Sequence, residues 1–203
     1  MDIKYLGHSS FFIKTKNAKI ITDPFTPEST GLTFPKTEAD ILSISHERED
    51  HNYQEGIKGE PLVLIWAGEY EKNEVRIKGF QTFHDAVGGT ERGSNIMFKF
   101  ESGDLSFLHC GDLGHMLSDD IIDEIGSVDV LMIPVGGVDT IDAKIAAKIV
   151  NKIEPGMVIP MHFQELEPFL KEMGAEDVVP VDKITVKKEQ LNSESVTVVV
   201  LKT

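Results

Sequence analysis

The sequence predicts an α/β fold with helices layered on sheet. Two observations carry that prediction. The N-terminal part breaks into short β-branched and aromatic runs bounded by Gly, Pro, Asn or Asp. The C-terminal part alternates such runs with helical ones. The clearest helix is Ile141–Ile153, where Ile141, Ile145, Ile149 and Ile153 fall four apart and make one apolar stripe.

Along the chain, strands are expected at Ile3–Leu6, Phe11–Thr15, Lys19–Thr22, Ile41–Ile44, Leu62–Ile65, Glu74–Ile77 and Phe80–Phe83. Asp23–Glu38 holds three prolines among Ser, Thr and Gly, so it reads as a long loop of the kind that carries function. Strands resume at Asn95–Phe100 and Leu105–His109. Ser118 is placed to cap a helix over Asp119–Ile125, and Gly126 closes it. Val128–Ile133 is a near-continuous apolar run, typical of a strand covered on both faces. Asp139 or Thr140 caps the Ile141–Ile153 helix, and Pro155-Gly156 stops it. A strand at Met157–Pro160, a helix at Glu165–Met173 and strands at Val181–Val186 and Val196–Leu201 complete the alternation.

The 203 residues suffice for a substantial core. A formal charge of -14 argues against nucleic acid or an anionic membrane as partner. It leaves room for a small, even anionic, substrate, because a bound metal ion dominates its local field. No apolar run reaches the length of a membrane span, and no secretory signal is visible. Cys110 is the one cysteine, which excludes an intramolecular disulfide framework. A cytoplasmic location is therefore expected, and a homo-oligomer is compatible with all of this.

All seven histidines sit at or just beyond a strand-like run: His8, His46, His51, His84, His109, His115 and His162. One such histidine is at least as often a hydrogen-bonded core or loop residue as a ligand. Seven behaving alike point to a metal site on the rim where strand ends gather, with carboxylates completing the shell. The densest segment is Ser45-His46-Glu47-Arg48-Glu49-Asp50-His51-Asn52, which can aim His46, Asp50 and His51 at one small volume. In Cys110-Gly111-Asp112-Leu113-Gly114-His115, glycines flank an aspartate directly after a strand and let the backbone turn to present it.

Together these segments resemble the metallo-β-lactamase superfamily, whose signature is a His-x-His-x-Asp-His loop after a strand. Thr82-Phe83-His84, His109-Cys110-Gly111-Asp112 and Pro160-Met161-His162 are similar to its later elements. Leu6-Gly7-His8-Ser9-Ser10, Thr22-Asp23-Pro24-Phe25, Gly111–His115 and Ile133-Pro134-Val135-Gly136-Gly137 resemble the branch containing L-ascorbate 6-phosphate lactonases and related metal-dependent hydrolases. The resemblance implies a four-layer αββα sandwich over residues 1–203, with pseudo-symmetric halves of about 1–100 and 101–203 and the site along one edge. It also implies two adjacent cation positions. The first uses His46, residue 48, His84 and Asp112; the second uses Asp50, His51, His162 and the shared Asp112. One or two Zn2+ ions are expected there, with Mn2+ or Fe2+ also suited. Such ions activate water and polarise a carbonyl or phosphoryl oxygen, so no Ser, Cys or Lys nucleophile is required. The implied function is hydrolysis of a small phosphoester, phosphodiester or lactone. The alternative is a degenerate member that binds metal or a metabolite without turnover.

Position 48 breaks the pattern, because a guanidinium has no lone pair for a metal. The first position then survives weakly on His46, His84 and Asp112, or Glu47 or Glu49 substitutes as an oxygen ligand. A further outcome has Arg48 filling the space and pairing with Asp112, Glu49 or an anionic substrate group; the plain one has it pointing to solvent. The expectation is one firmly held ion at Asp50, His51, His162 and Asp112, beside a weak or empty position. Asp50 and His8 are the expected catalytic residues, with His8, Arg48 and His115 contacting substrate. Asp23 and His109 support the ligands from behind, and Cys110 points into the core. Gly88, Gly89 and Gly93 suggest a mobile loop beside His84, and Gly136-Gly137 a tight turn at the same rim.

Overall fold

A computed structural model describes residues 1–191 and 195–203. The chain opens with a meander of β1 (Asp2–Gly7), β2 (Ser10–Lys14) and β3 (Lys19–Thr22). The Pro-rich segment that follows is not wholly irregular. Thr26 caps the single turn α1 (Pro27–Thr30), which Gly31 ends at φ 71°. Next come β4 (Thr37–Glu38), β5 (Ile41–Ser43), β6 (Ile57–Lys58) and β7 (Leu62–Leu64). A second meander follows, of β8 (Gly68–Lys72), β9 (Val75–Phe83), β10 (Ser94–Ser102) and β11 (Leu105–His109). The remainder alternates: α2 (Asp119–Ile125), β12 (Val130–Pro134), α3 (Ala143–Ile153), β13 (Met157–Met161), α4 (Glu167–Glu172), β14 (Ile184–Thr185) and β15 (Thr197–Val198).

These strands form two mixed sheets, ordered β14-β1-β2-β3-β5-β7 and β15-β13-β12-β11-β10-β9-β8, and β4 pairs β6 separately. Ile3, Phe11, Ile13, Ile20 and Ile41 of the first sheet share one buried cluster with Phe98, Phe100 and Phe107 of the second. Phe100 and Phe107 stack with centroids 4.6 Å apart. The same cluster takes in Ala146, Ile149, Val150 and Ile153 of α3 and Phe169 of α4, so helix covers the second sheet's outer side. That is why β12 is buried along its whole length. On the far side of the first sheet a smaller cluster of Leu6, Ile21, Phe25, Phe34, Leu42 and Ile44 is roofed by the segment between β3 and β7. The layers are those of the expected αββα sandwich, with a thin outer layer on this side.

Ser118 caps α2 as expected, accepting from Ile121 N–H. α3 starts later than expected, at Ala143, because the Asp142 carboxylate accepts from Ile145 N–H at 2.8 Å. The two runs Glu74–Ile77 and Phe80–Phe83 are one strand, paired with β10 from Val75 to Phe83. Gly79 does not interrupt it. A Cβ there would lie 3.1 Å from the Phe98 ring and from the Trp66–Ala67 backbone, so glycine lets the chain leading into β8 lie close. β8 itself, Gly-Glu-Tyr-Glu-Lys, is an edge strand with a polar face and no apolar run to announce it. Among the described residues no helix is long and apolar enough to cross a membrane.

Strand direction positions the site. β1 and β3 run parallel to each other on either side of β2, and β5 and β7 follow β3 in parallel. In the second sheet β9, β11, β12 and β13 likewise share one direction. Their C-terminal ends therefore bring residues 8, 23, 46–51, 84, 109–112 and 162 to one rim.

Candidate metal centre

The structure brings the four expected histidines together around one Asp112 carboxylate oxygen, with Asp50 beside them. Asp112 Oδ2 lies 3.0 Å from His84 Nε2, 3.1 Å from His51 Nε2, 3.3 Å from His162 Nε2 and 3.8 Å from His46 Nε2. Asp50 Oδ2 stands 3.9 Å from His51 Nε2 and 3.3 Å from His8 Nε2. The His8 and His51 Nε2 atoms are 3.1 Å apart. Two groups offer donor atoms that all lie within 4.8 Å of one another: His8, Asp50, His51 and His162, and His46, His51 and Asp112.

Backbone and buried partners hold this arrangement. His8, Asp23 and His162 adopt left-handed φ values of 57°, 39° and 49°, a conformation that side chains bearing a Cβ rarely take and that strained functional sites retain. The His8 carbonyl accepts from His162 N–H at 2.8 Å and from the Tyr5 hydroxyl at 2.5 Å, which ties the ends of β1 and β13 together. The buried Asp23 carboxylate accepts from Ser45 N–H (2.8 Å), the Ser45 hydroxyl (2.6 Å) and His51 Nδ1 (2.9 Å). Because Asp23 fixes the proton on His51 Nδ1, a neutral His51 turns its Nε2 lone pair toward Asp112. His109 is engaged at both nitrogens: Nε2 donates to Ser9 O at 2.7 Å and Nδ1 accepts from Gly111 N–H at 3.2 Å. It therefore latches β11 to the turn after β1 and has no lone pair left for a metal.

Two contributors escape sequence reading. Buried Asn95 accepts from Asp112 N–H (2.9 Å) and donates to Cys110 O (2.9 Å) and Thr82 Oγ1 (2.8 Å), fixing the loop that presents Asp112. The Asp85 carboxylate accepts from the backbone N–H groups of Val87, Gly89, Glu91 and Arg92 at 2.7–3.0 Å and so shapes the loop after His84. A polar residue opening an apolar strand run was the only signal for Asn95. For Asp85 there was its place ahead of a Gly-rich loop.

Burial strongly disfavours charge here, yet the ionisable groups do not all become neutral. Burial opposes the charged form of His51, but Asp112 and Asp23 outweigh it and push the imidazole up to about 10. His162 is raised in the same way by Asp112. Asp112 is held well below the usual carboxylate range, against its burial, by His51 and His162. Burial and the neighbouring His51 push His46 down to about 3. The cluster thus demands positive charge beside Asp112, which either protons or a divalent cation can provide. A cation fits the remaining geometry. His46 Nε2 and both ring nitrogens of His84 are buried without a hydrogen-bond partner, and the 3.0 Å approach of His84 to Asp112 lacks hydrogen-bond geometry. Lone pairs converging on a carboxylate oxygen suit Zn2+, Mn2+ or Fe2+.

The outcome at Arg48 is now visible. Its side chain is exposed, and Nη2 donates to Arg92 O at 3.4 Å. The expected option in which it fills the space beside Asp112 is not what the structure shows, because the turn closed by His51 N–H on Arg48 O leaves side chain 48 outside. Glu47 does not substitute as a ligand either, since Asn52 Nδ2 holds it at 3.0 Å, and Glu49 is exposed. Arg48 instead lines a cavity of about 770 Å³ together with His8, Asp50, Asp112 and His162. His115 does not line this cavity; its Nε2 accepts from Phe83 N–H and its Nδ1 donates to Met116 O. Cys110 is buried, and burial pushes its thiol up.

A family model described as a β-lactamase superfamily domain matches residues 2–162. A UPF0173 metal-dependent hydrolase of Carboxydothermus hydrogenoformans is 25% identical over 204 residues, covering 86% of this chain and 89% of the relative. One of Nanoarchaeum equitans is 29% identical over 190 residues, covering 80% and 84%. A solved Thermotoga maritima structure, assigned to the Zn-dependent hydrolases of the metallo-β-lactamase superfamily, matches with a TM-score of 0.81 and 32% identity over 99% of both chains. With the ligand cluster in place on the expected rim, the chain belongs to the metallo-β-lactamase superfamily.

Proposed function

We propose that the protein is a metal-dependent hydrolase of a small phosphoester, phosphodiester or lactone. In this reading one divalent cation is firmly held by Asp50, His51, His162 and Asp112, and the His46–His84 position beside it is weak. The observation that carries the reading is the convergence of four imidazole Nε2 atoms on Asp112 Oδ2, with Asp23 fixing the His51 tautomer. The metal-dependent hydrolases among its relatives support the same reaction class.

When bound, the ion acidifies water and polarises the bond to be cleaved. The chain supplies the rest. Asp50 lines the cavity with its side chain 31% exposed, so with Oδ2 toward the imidazoles it has Oδ1 left to hold the proton given up by the attacking water. Arg48, at the cavity wall, pairs with an anionic substrate group. Leu32, Val138, Phe163 and Leu166 give the cavity an apolar wall for the remainder of the ligand. A hydrolysis screen over phosphomonoesters, phosphodiesters and lactones with Zn2+ or Mn2+ tests the proposal. Turnover that disappears on chelation is expected. A metal-loaded protein inert toward all three classes would favour the non-catalytic, metal-binding alternative.

A further inference from the structure

We infer that His8 is itself a metal ligand, joining Asp50, His51 and His162 around the firmly held ion, rather than a residue that only faces substrate. The inference rests on the metal-binding reading above and extends its ligand set to a residue outside the superfamily signature. Three observations carry it.

The first is spacing. Donors at roughly 2.1 Å from one ion stand about 3.0 Å apart at octahedral edges and about 3.4 Å apart at tetrahedral ones. His8 Nε2 makes two separations of this size, 3.1 Å to His51 Nε2 and 3.3 Å to Asp50 Oδ2. These match the edges that His51 and His162 make with Asp112, at 3.1 and 3.3 Å. By the same measure His8 sits as well in the shell as His162 does.

The second is the direction of lone pairs. His51 Nδ1 donates to Asp23, so in the neutral ring Nε2 is an acceptor, facing both the His8 ring nitrogen and the Asp112 carboxylate. A cation among His8 Nε2, His51 Nε2 and the Asp112 carboxylate would satisfy all three at once. The third is the backbone. His8 holds φ 57° with its carbonyl gripped by Tyr5 and His162, so its ring is aimed by the same clamp that aims the His162 ligand. A residue that only closed the turn would be served better by glycine or asparagine. With His8 in the shell, the ion has a full donor set away from Arg48, which fits the loss of a ligand at that position.

The test uses Co2+ in the whole chain, read by its visible d–d bands and by competition with a chelator. His8→Asn keeps a residue that tolerates left-handed φ, and Tyr5→Phe loosens the clamp while keeping the imidazole. The expected result is at least tenfold weaker Co2+ binding and an altered band shape for H8N, against a smaller loss and an unchanged band shape for Y5F. In Co2+-loaded wild type, proton NMR should show three hyperfine-shifted, exchangeable imidazole N–H signals, from His8, His51 and His162. This last readout needs no variant to fold. Two such signals, or H8N matching wild type in both spectrum and affinity, would overturn the role of His8 alone. Equal losses in H8N and Y5F would assign the effect to the clamp and also overturn it. A wild-type chain that binds no Co2+ would overturn the metal-centre reading as well.

Discussion

Asp23→Asn changes one atom of a buried carboxylate and should disable a ligand it never shares with the metal. In the wild type, Oδ1 accepts from Ser45 N–H, a donor that cannot turn away, and Oδ2 accepts from the Ser45 hydroxyl and His51 Nδ1. An asparagine must keep its carbonyl oxygen against Ser45 N–H, so its NH2 faces His51 Nδ1. Two donors cannot share that contact. The imidazole responds by moving its proton to Nε2, the atom 3.1 Å from Asp112 and needed as a lone pair by a cation. Losing a partner that orients a ligand imidazole typically weakens metal binding about 10- to 100-fold. That is about 1.4–2.7 kcal/mol. In the metal-free protein the same change removes a hydrogen bond to a charged group, worth about 1.5–3 kcal/mol of stability. Zn2+ affinity measured against a chromophoric chelator gives the first quantity, and denaturant unfolding of chelator-treated protein gives the second. D23N binding Zn2+ within twofold of wild type would refute the tautomer argument.

Three further outcomes are expected. Arg48→His leaves its imidazole outside with the turn that His51 N–H closes on residue 48, so elemental analysis after chelator challenge should still find one retained ion. Gly114→Ala would put a Cβ 2.2 Å from the His84 carbonyl carbon and 2.3 Å from Asp85 N, backbone that has no room to yield. It should cost about 3 kcal/mol or more in denaturant unfolding, at the upper end of overpacking. The Cys110 thiol, buried and pushed up in pKa, should ignore an aromatic disulfide reagent in the native protein and react with one equivalent in guanidinium.

What was legible in the sequence, and what was not, follows from where each residue's partners lie. The loop carrying His46, Asp50 and His51 announces itself, because three candidate ligands stand within six residues directly after an apolar run. Helix α2 was readable to its caps, since Ser118 and Gly126 act on residues three or four positions away. Asn95 was not readable: its contacts reach Thr82, Cys110 and Asp112, which only the sheet brings near. Gly79 misled because a glycine that admits a neighbouring chain looks, in sequence, like one that ends a strand. The identity of Arg48 showed at once that this position offers no lone pair to a metal, but the direction of its side chain depends on the turn closed by His51 N–H. Composition and spacing carry no record of that turn.

The central claim is that the cluster around Asp112 divides into one strong cation position and one weak one. Metal content per chain tests it most directly, measured on Zn2+-reconstituted wild-type protein after dialysis against a chelator strong enough to strip surface-bound ions. The account predicts one Zn2+ retained per chain. Two retained ions, or none, would contradict it.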